Sequence, residues 1–345
     1  MGTVFRRTRA GIAAAALASA LAACGGSTGD TPVPTPAAQR TAPPTAGASL
    51  SPEPGASPAP GAPLSPAPGA TLSPAADVRS APARAAAPAA KGAPTRTFPV
   101  AVRRIELSRG KDRPLPTTIW YPRTGDGPFP VIVFSHGLTS QPQDYARLLS
   151  RWAGAGFVVV GAAYPHTSYG AADFDALDVI NQPADASYVL SRVLALDHAD
   201  GDVLAGRLAT TDVAAAGHSA GGITTVGLFS GNRDRRLKAG IVMAGRQVLP
   251  APFTGPEAPL LFVHGRQDRT VPYADGLTAY RAVPWPKAMM AITAGGHVTT
   301  ARDFGVVAAT TTDFWRWSLY GDRAAQARLA RDATAGRIAT FTDDL

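Results

Sequence analysis

Cysteine is almost missing: Cys24 is the only one in 345 residues. No internal disulfide can form, so any folded domain must rest on its apolar core alone. No group of His, Asp, Glu and Cys has metal-ligand spacing, and neither a metal nor another cofactor is expected. Long apolar runs are also lacking. The stretch from Gly11 to Ala23 is too short to span a bilayer as a mature helix. Although the net charge is +8, no Lys/Arg run is interleaved with aromatic residues. The arginines are scattered, as in "GDRAAQARLARDATAGR", which reads as a solvated surface drawn to an acidic envelope, and nucleic acid is not an expected partner.

What is abundant is unevenly placed. Prolines crowd between Pro32 and Pro99, in phrases such as "SPEPGASPAPGAPLSPAPGATLSP". With almost no large apolar residue, such a stretch cannot offset the entropy of ordering, and it reads as an extended tether. Before it, the basic Arg6, Arg7 and Arg9 precede the short apolar run, the pattern of an export signal. Leu21-Ala22-Ala23-Cys24 resembles the bacterial lipobox, in which cleavage exposes a cysteine that carries the lipid. The chain is therefore expected to divide into a signal at 1–23, a tether at 24–94 and one folded domain at 95–345. That domain would be monomeric and held outside the cytoplasmic membrane by lipid on Cys24. Its length suits a single large core.

From Phe98 onward, short apolar strands alternate with helical stretches. "FPVAVRRIEL" and "LPTTIWYP" read as antiparallel edge strands. "FPVIVFSHG", "FVVVGAAYP", "DVAAAGHS", "LKAGIVMAG", "PLLFVHG" and "AMMAITAGG" read as buried strands. Helices are expected at 142–155, over "PADASYVLSRVLALD", after "GHS", near 273–283 and at 301–319. This alternation predicts an α/β fold, a mostly parallel, doubly wound sheet with helices on both faces and no large cap domain. In such sheets ligands sit at the carboxyl ends of the strands.

Three strand exits carry the residues that nucleophilic catalysis needs. In "GHSAGG", Gly217 and Gly221 allow a tight strand-to-helix turn that presents Ser219 at a helix N-terminus, where free N–H groups favour a developing anion. Asp268 follows the strand "PLLFVHG", and His297 follows the last strand in "AGGHV". A serine needs a base, and an imidazole base needs a third group to fix its tautomer. The order Ser, Asp, His along successive strands is that of the α/β-hydrolase fold.

The stretches "GPFPVIVFSHGLTSQPQDY", "QPADASYVLSRVLAL", "GHSAGG", "HGRQDRTVP" and "GGHV" resemble the dienelactone-hydrolase and platelet-activating-factor-acetylhydrolase-like branch of the α/β-hydrolases, related to chlorophyllases and polyesterases. The resemblance spans roughly 98–320. It implies Ser219 as nucleophile, His297 as general base and Asp268 as its orienter. The backbone N–H groups of Leu138 and Ala220 would form the oxyanion hole. Dienelactone hydrolases proper carry Cys where this chain has Ser219.

The remaining expectations concern the pocket. His136 lies in the oxyanion turn, and His166 and Tyr169 follow a strand exit; all three are candidate pocket residues. His218 and His264, beside glycines at strand ends, read as packing residues. Only fourteen residues, Arg246 to Pro259, separate "IVMAG" from "PLLFVHG", so no large lid is expected there. Tyr169, Phe174 and Leu177 would form a modest wall around an open, shallow site. The expected substrate is a small or lipid-like carboxylic ester with a short acyl group, acetyl to about hexanoyl. An acyltransferase or peptidase on the same three residues remains open at this level, as does a surface-tethered binding module without catalysis.

Overall fold

The computed structural model describes residues 92–345; Cys24 and the proline-rich segment lie outside the described residues. Nine strands form one sheet in the order β1-β2-β4-β3-β5-β6-β7-β8-β9. They are β1 (Val100–Ser108), β2 (Pro114–Pro122), β3 (Phe129–Ser135), β4 (Val158–Ala162), β5 (Leu208–His218), β6 (Leu237–Met243), β7 (Leu260–Gly265), β8 (Lys287–Ile292) and β9 (Ala339–Asp344). The six strands from β4 to β8 run parallel to their neighbours, while β1, β2 and β9 pair antiparallel at the two ends.

The helices are α1 (Ala146–Gly154), α2 (Gln182–Leu194), α3 (Ala220–Phe229), α4 (Tyr273–Ala282), α5 (Phe304–Tyr320) and α6 (Arg323–Ala333). They divide between the sheet's two faces. On one face Val131 and Val133 of β3 pack with Val189 and Leu190 of α2, Val226 of α3 and Ala279 of α4. On the other, Ile132 and Phe134 pack with Trp152 of α1, Trp315 of α5 and Leu329 of α6. Consecutive side chains of a strand point to opposite faces, so a strand covered on both sides reads as a nearly continuous apolar run. β3 and β4 are buried at every position. This is the expected α/β-hydrolase architecture.

The C-terminal tail differs from its reading as a solvated surface. Gly321, at φ 74°, ends α5, and Asp322 caps α6 by accepting from the Ala325 N–H at 3.0 Å. A left-handed Gly followed by an N-cap Asp is the usual signal of one helix ending and another starting. Arg328 then pairs with Asp313 of α5, and Leu329 and Ala333 face the core. Beyond α6 the chain adds β9 to the sheet edge. The exposed arginines had masked a helix that is apolar on its other side. Among the described residues, no helix is long and apolar enough to cross a membrane.

Candidate active site

The turn between β5 and α3 holds Ser219 at φ 58° and ψ −118°, a backbone conformation that non-glycine residues rarely adopt. Its flanking glycines are obligatory. A Cβ on Gly217 would run into the Gly221 carbonyl, and one on Gly221 into the Ser135 carbonyl at the end of β3. Only bare backbone lets strand, turn and helix approach this closely.

Ser219 meets two residues from distant turns. His297 Nε2 lies 2.8 Å from Ser219 Oγ, and His297 Nδ1 lies 2.8 Å from Asp268 Oδ2. Asp268 sits in the turn after β7, where its Oδ1 accepts from the Thr270 and Val271 N–H groups at 2.8 and 2.9 Å. Burial opposes its ionisation. Hydrogen bonds from His264, His297 and the Val271 N–H outweigh that burial and hold its carboxyl far below the usual 3.8. An ionised carboxylate only accepts, so the proton in the His297–Asp268 bond belongs to Nδ1. The Nε2 lone pair therefore faces the Ser219 hydroxyl. Gly265 permits this convergence, because a side chain there would collide with the carbonyls of Gly295 and Gly296, on the loop that leads to His297.

The turn after β3 supplies the opposite side. His136 is fully buried, with Nδ1 2.8 Å from the Gly137 carbonyl and Nε2 accepting from the Tyr164 N–H at 3.1 Å. A carbonyl only accepts, so Nδ1 donates. Burial, only partly offset by the Gly137 hydrogen bond and the Asp144 charge, lowers the pKa of His136 to about 4, and the ring is neutral. The two ends of a trans peptide point in opposite directions. By holding the Gly137 carbonyl, His136 fixes the direction of the Leu138 N–H. Among the described residues, neither the Leu138 nor the Ala220 N–H has a protein hydrogen-bond partner. Leu138 lines the cavity beside Ser219, and Ala220 opens α3.

That cavity measures about 740 Å³. It lies between α1, the start of α5 and the turns carrying Leu138 and His297. Leu148, Met243, Phe304 and Val307 give it an apolar lobe, and Arg147 stacks 3.7 Å over the Phe304 ring. It is not walled where expected. His136 is packed behind the turn and does not reach the cavity. His166 and Tyr169 lie outside it as well. Their segment runs along the outer side of the turn after β3, where Thr167 accepts from the Thr139 N–H and the Tyr169 N–H donates to the Ser140 carbonyl. The backbone is committed to bracing that turn, and the Tyr169 side chain is left 71% exposed. Phe174 and Leu177 are exposed too. The wall instead comes from α1 and α5, whose shared packing no local sequence signal reveals. Two cavity residues were missed as partners, Tyr145 and His218; their bond joins positions 73 residues apart.

Among the described residues no group of three His, Cys, Asp or Glu side chains could hold a metal ion. No curated protein matches the chain. A match with the chlorophyllase family model covers residues 94–245, which include Leu138, Ser219 and Ala220 and stop before Asp268 and His297. With the nine-stranded sheet, that match identifies an α/β-hydrolase-fold chain that is similar, from residue 94 to residue 245, to a family of ester hydrolases.

Proposed function

We propose that this protein is an exported serine esterase that hydrolyses carboxylic esters through an acyl-enzyme. The unbroken chain Ser219 Oγ, His297, Asp268, with both bonds at 2.8 Å and the serine at the wall of an apolar cavity, carries the reading. His297 Nε2 takes the Ser219 proton as Oγ adds to the ester carbonyl. The oxyanion that forms accepts from the Leu138 and Ala220 N–H groups. Collapse expels the alcohol, which leaves with the proton from His297. Water then attacks the acyl-enzyme with His297 again as base, and the acid departs. A fluorophosphonate probe tests this directly: the wild type should be labelled once, and Ser219→Ala not at all. Equal labelling of a folded Ser219→Ala protein would refute it.

The cavity extends the expected substrate range upward. A volume of about 740 Å³ is large enough to bury most of a drug-sized ligand, and each buried methylene contributes about 0.8 kcal/mol. Along a series of p-nitrophenyl esters, kcat/KM should rise from acetate to octanoate. Phe304→Ala removes part of the lobe and should cut octanoate turnover about tenfold, roughly the value of one buried side chain, with acetate within about twofold. A wild type that prefers acetate would place the acyl group elsewhere. Export rests on the sequence before the described residues. Mass spectrometry of the mature protein should find an N-terminal Cys24 carrying a lipid, and an unmodified cysteine on membrane-bound protein would remove the anchor.

A further inference from the structure

His297 lies on the loop between β8 and α5. Among the described residues, the backbones of His297, Val298 and Thr299 make no hydrogen bond to any other backbone group. Val298 is 64% exposed. The imidazole that must face Ser219 is thus carried by a stretch with little main-chain support. Among the described residues, the main chain of this stretch is held by one side chain: His218 Nε2 lies 2.7 Å from the His297 carbonyl.

The direction of that bond propagates. A carbonyl only accepts, so His218 Nε2 carries the proton. In the neutral ring Nδ1 is then the acceptor. The Tyr145 hydroxyl, 2.9 Å from Nδ1, must donate to it. The Tyr145 oxygen in turn accepts from the Gly137 N–H at 3.1 Å. Burial, with the nearby His297, keeps the His218 ring neutral, as the pattern requires. The relay is closely packed: a Cβ on Gly137 would lie 3.2 Å from the Tyr145 oxygen, 3.3 Å from Ser219 Cβ and 3.4 Å from His218 Nδ1.

We propose that Tyr145 and His218 are positioning residues whose hydrogen-bond relay, from Gly137 N–H to the His297 carbonyl, locks the oxyanion turn, the serine turn and the base-bearing loop into one unit. The proposal rests on the esterase reading. Neither residue needs to touch the reacting atoms. Each relay member touches a residue adjacent to, or identical with, a catalytic one: Gly137 precedes Leu138, His218 precedes Ser219, and His297 is the base. Small displacements of such groups are costly, since misplacement by about 1 Å can lower a rate about 100-fold.

Two isosteric cuts separate the relay's arms. In His218→Gln the side-chain amide can still donate to the His297 carbonyl, whereas in His218→Asn an oxygen can still accept from Tyr145 but the loop tether is gone. Turnover is measured per active site titrated with fluorophosphonate, which removes misfolded protein from the comparison. Expected is a loss in kcat of about 100-fold for His218→Asn with KM within about threefold, about fivefold for His218→Gln, and about tenfold for Tyr145→Phe. Because one relay is broken in each case, Tyr145→Phe combined with His218→Asn should fall within about threefold of His218→Asn alone, not near the roughly 1,000-fold of independent effects. Equal losses in the Gln and Asn variants, additive losses in the double variant, or near-wild-type turnover in all of them would overturn the relay. A wild type with no ester turnover and no labelling would instead sink the esterase reading.

Discussion

Ser219→Ala and His297→Ala should each lower kcat on a p-nitrophenyl ester by about 10⁵- to 10⁶-fold, and the double variant should be little worse than either. In the proposed mechanism nucleophile and base share a single proton, and with either gone the other has no task. The 2.8 Å bond between Ser219 Oγ and His297 Nε2 is the structural form of that dependence. What survives comes from substrate binding and from the N–H groups of Leu138 and Ala220, worth about 10³- to 10⁴-fold over water. The steady-state rate of each purified variant, with its unfolding midpoint as a control, checks this. A folded Ser219→Ala protein within a hundredfold of wild type would exclude the acyl-enzyme.

Asp268→Asn should cost about 10³- to 10⁴-fold in kcat with little change in KM. The structure dictates which way the new amide points. Oδ1 accepts from the Thr270 and Val271 N–H groups, so the asparagine must keep its oxygen there and turn its NH₂ toward His297. Two donors would then face each other unless the ring moved its proton from Nδ1 to Nε2. The Nε2 lone pair that takes the serine proton would be lost, while the pocket stays intact. A drop of less than tenfold in a folded variant would remove Asp268 from the mechanism. The carboxylate also has a stability role with a definite sign. Its folded pKa is depressed below 3.8, so its contribution is present above that value and is lost as pH falls through the lower, folded-state one. The asparagine variant should lack this acid-side loss.

These outcomes depend on residues of unequal legibility. Gly217, Ser219 and Gly221 could be read from six consecutive letters, because the tight turn places its demands on neighbouring positions. The buried strands were equally plain, since β3 and β4 are covered on both faces and read as nearly continuous apolar runs. Asp268 and His297 emerged from the order of strand exits, a consequence of topology. By contrast β9 and the apolar side of α6 were hidden by their charged neighbours, and the pocket wall was assigned to the wrong segment. Tyr169 and Phe174 looked like a wall because they are large, apolar and near a strand end. The Tyr169 backbone, however, is committed with that of Thr167 to bracing the turn at Thr139 and Ser140, and both aromatic side chains stay exposed.

By itself, then, the sequence determined the elements from β1 to α5, the parallel centre of the sheet and the three side chains at its carboxyl edge, because each follows from local sterics, strand burial or chain order. Tertiary structure alone decided where the cavity lies, which histidine braces which peptide, and how Tyr145 reaches His218. Those contacts join residues that share no local pattern, such as Arg147 with Phe304 and Gly137 with Tyr145. Which of them meet depends on how α1 and α5 pack across the sheet, and that packing is set by the whole core at once.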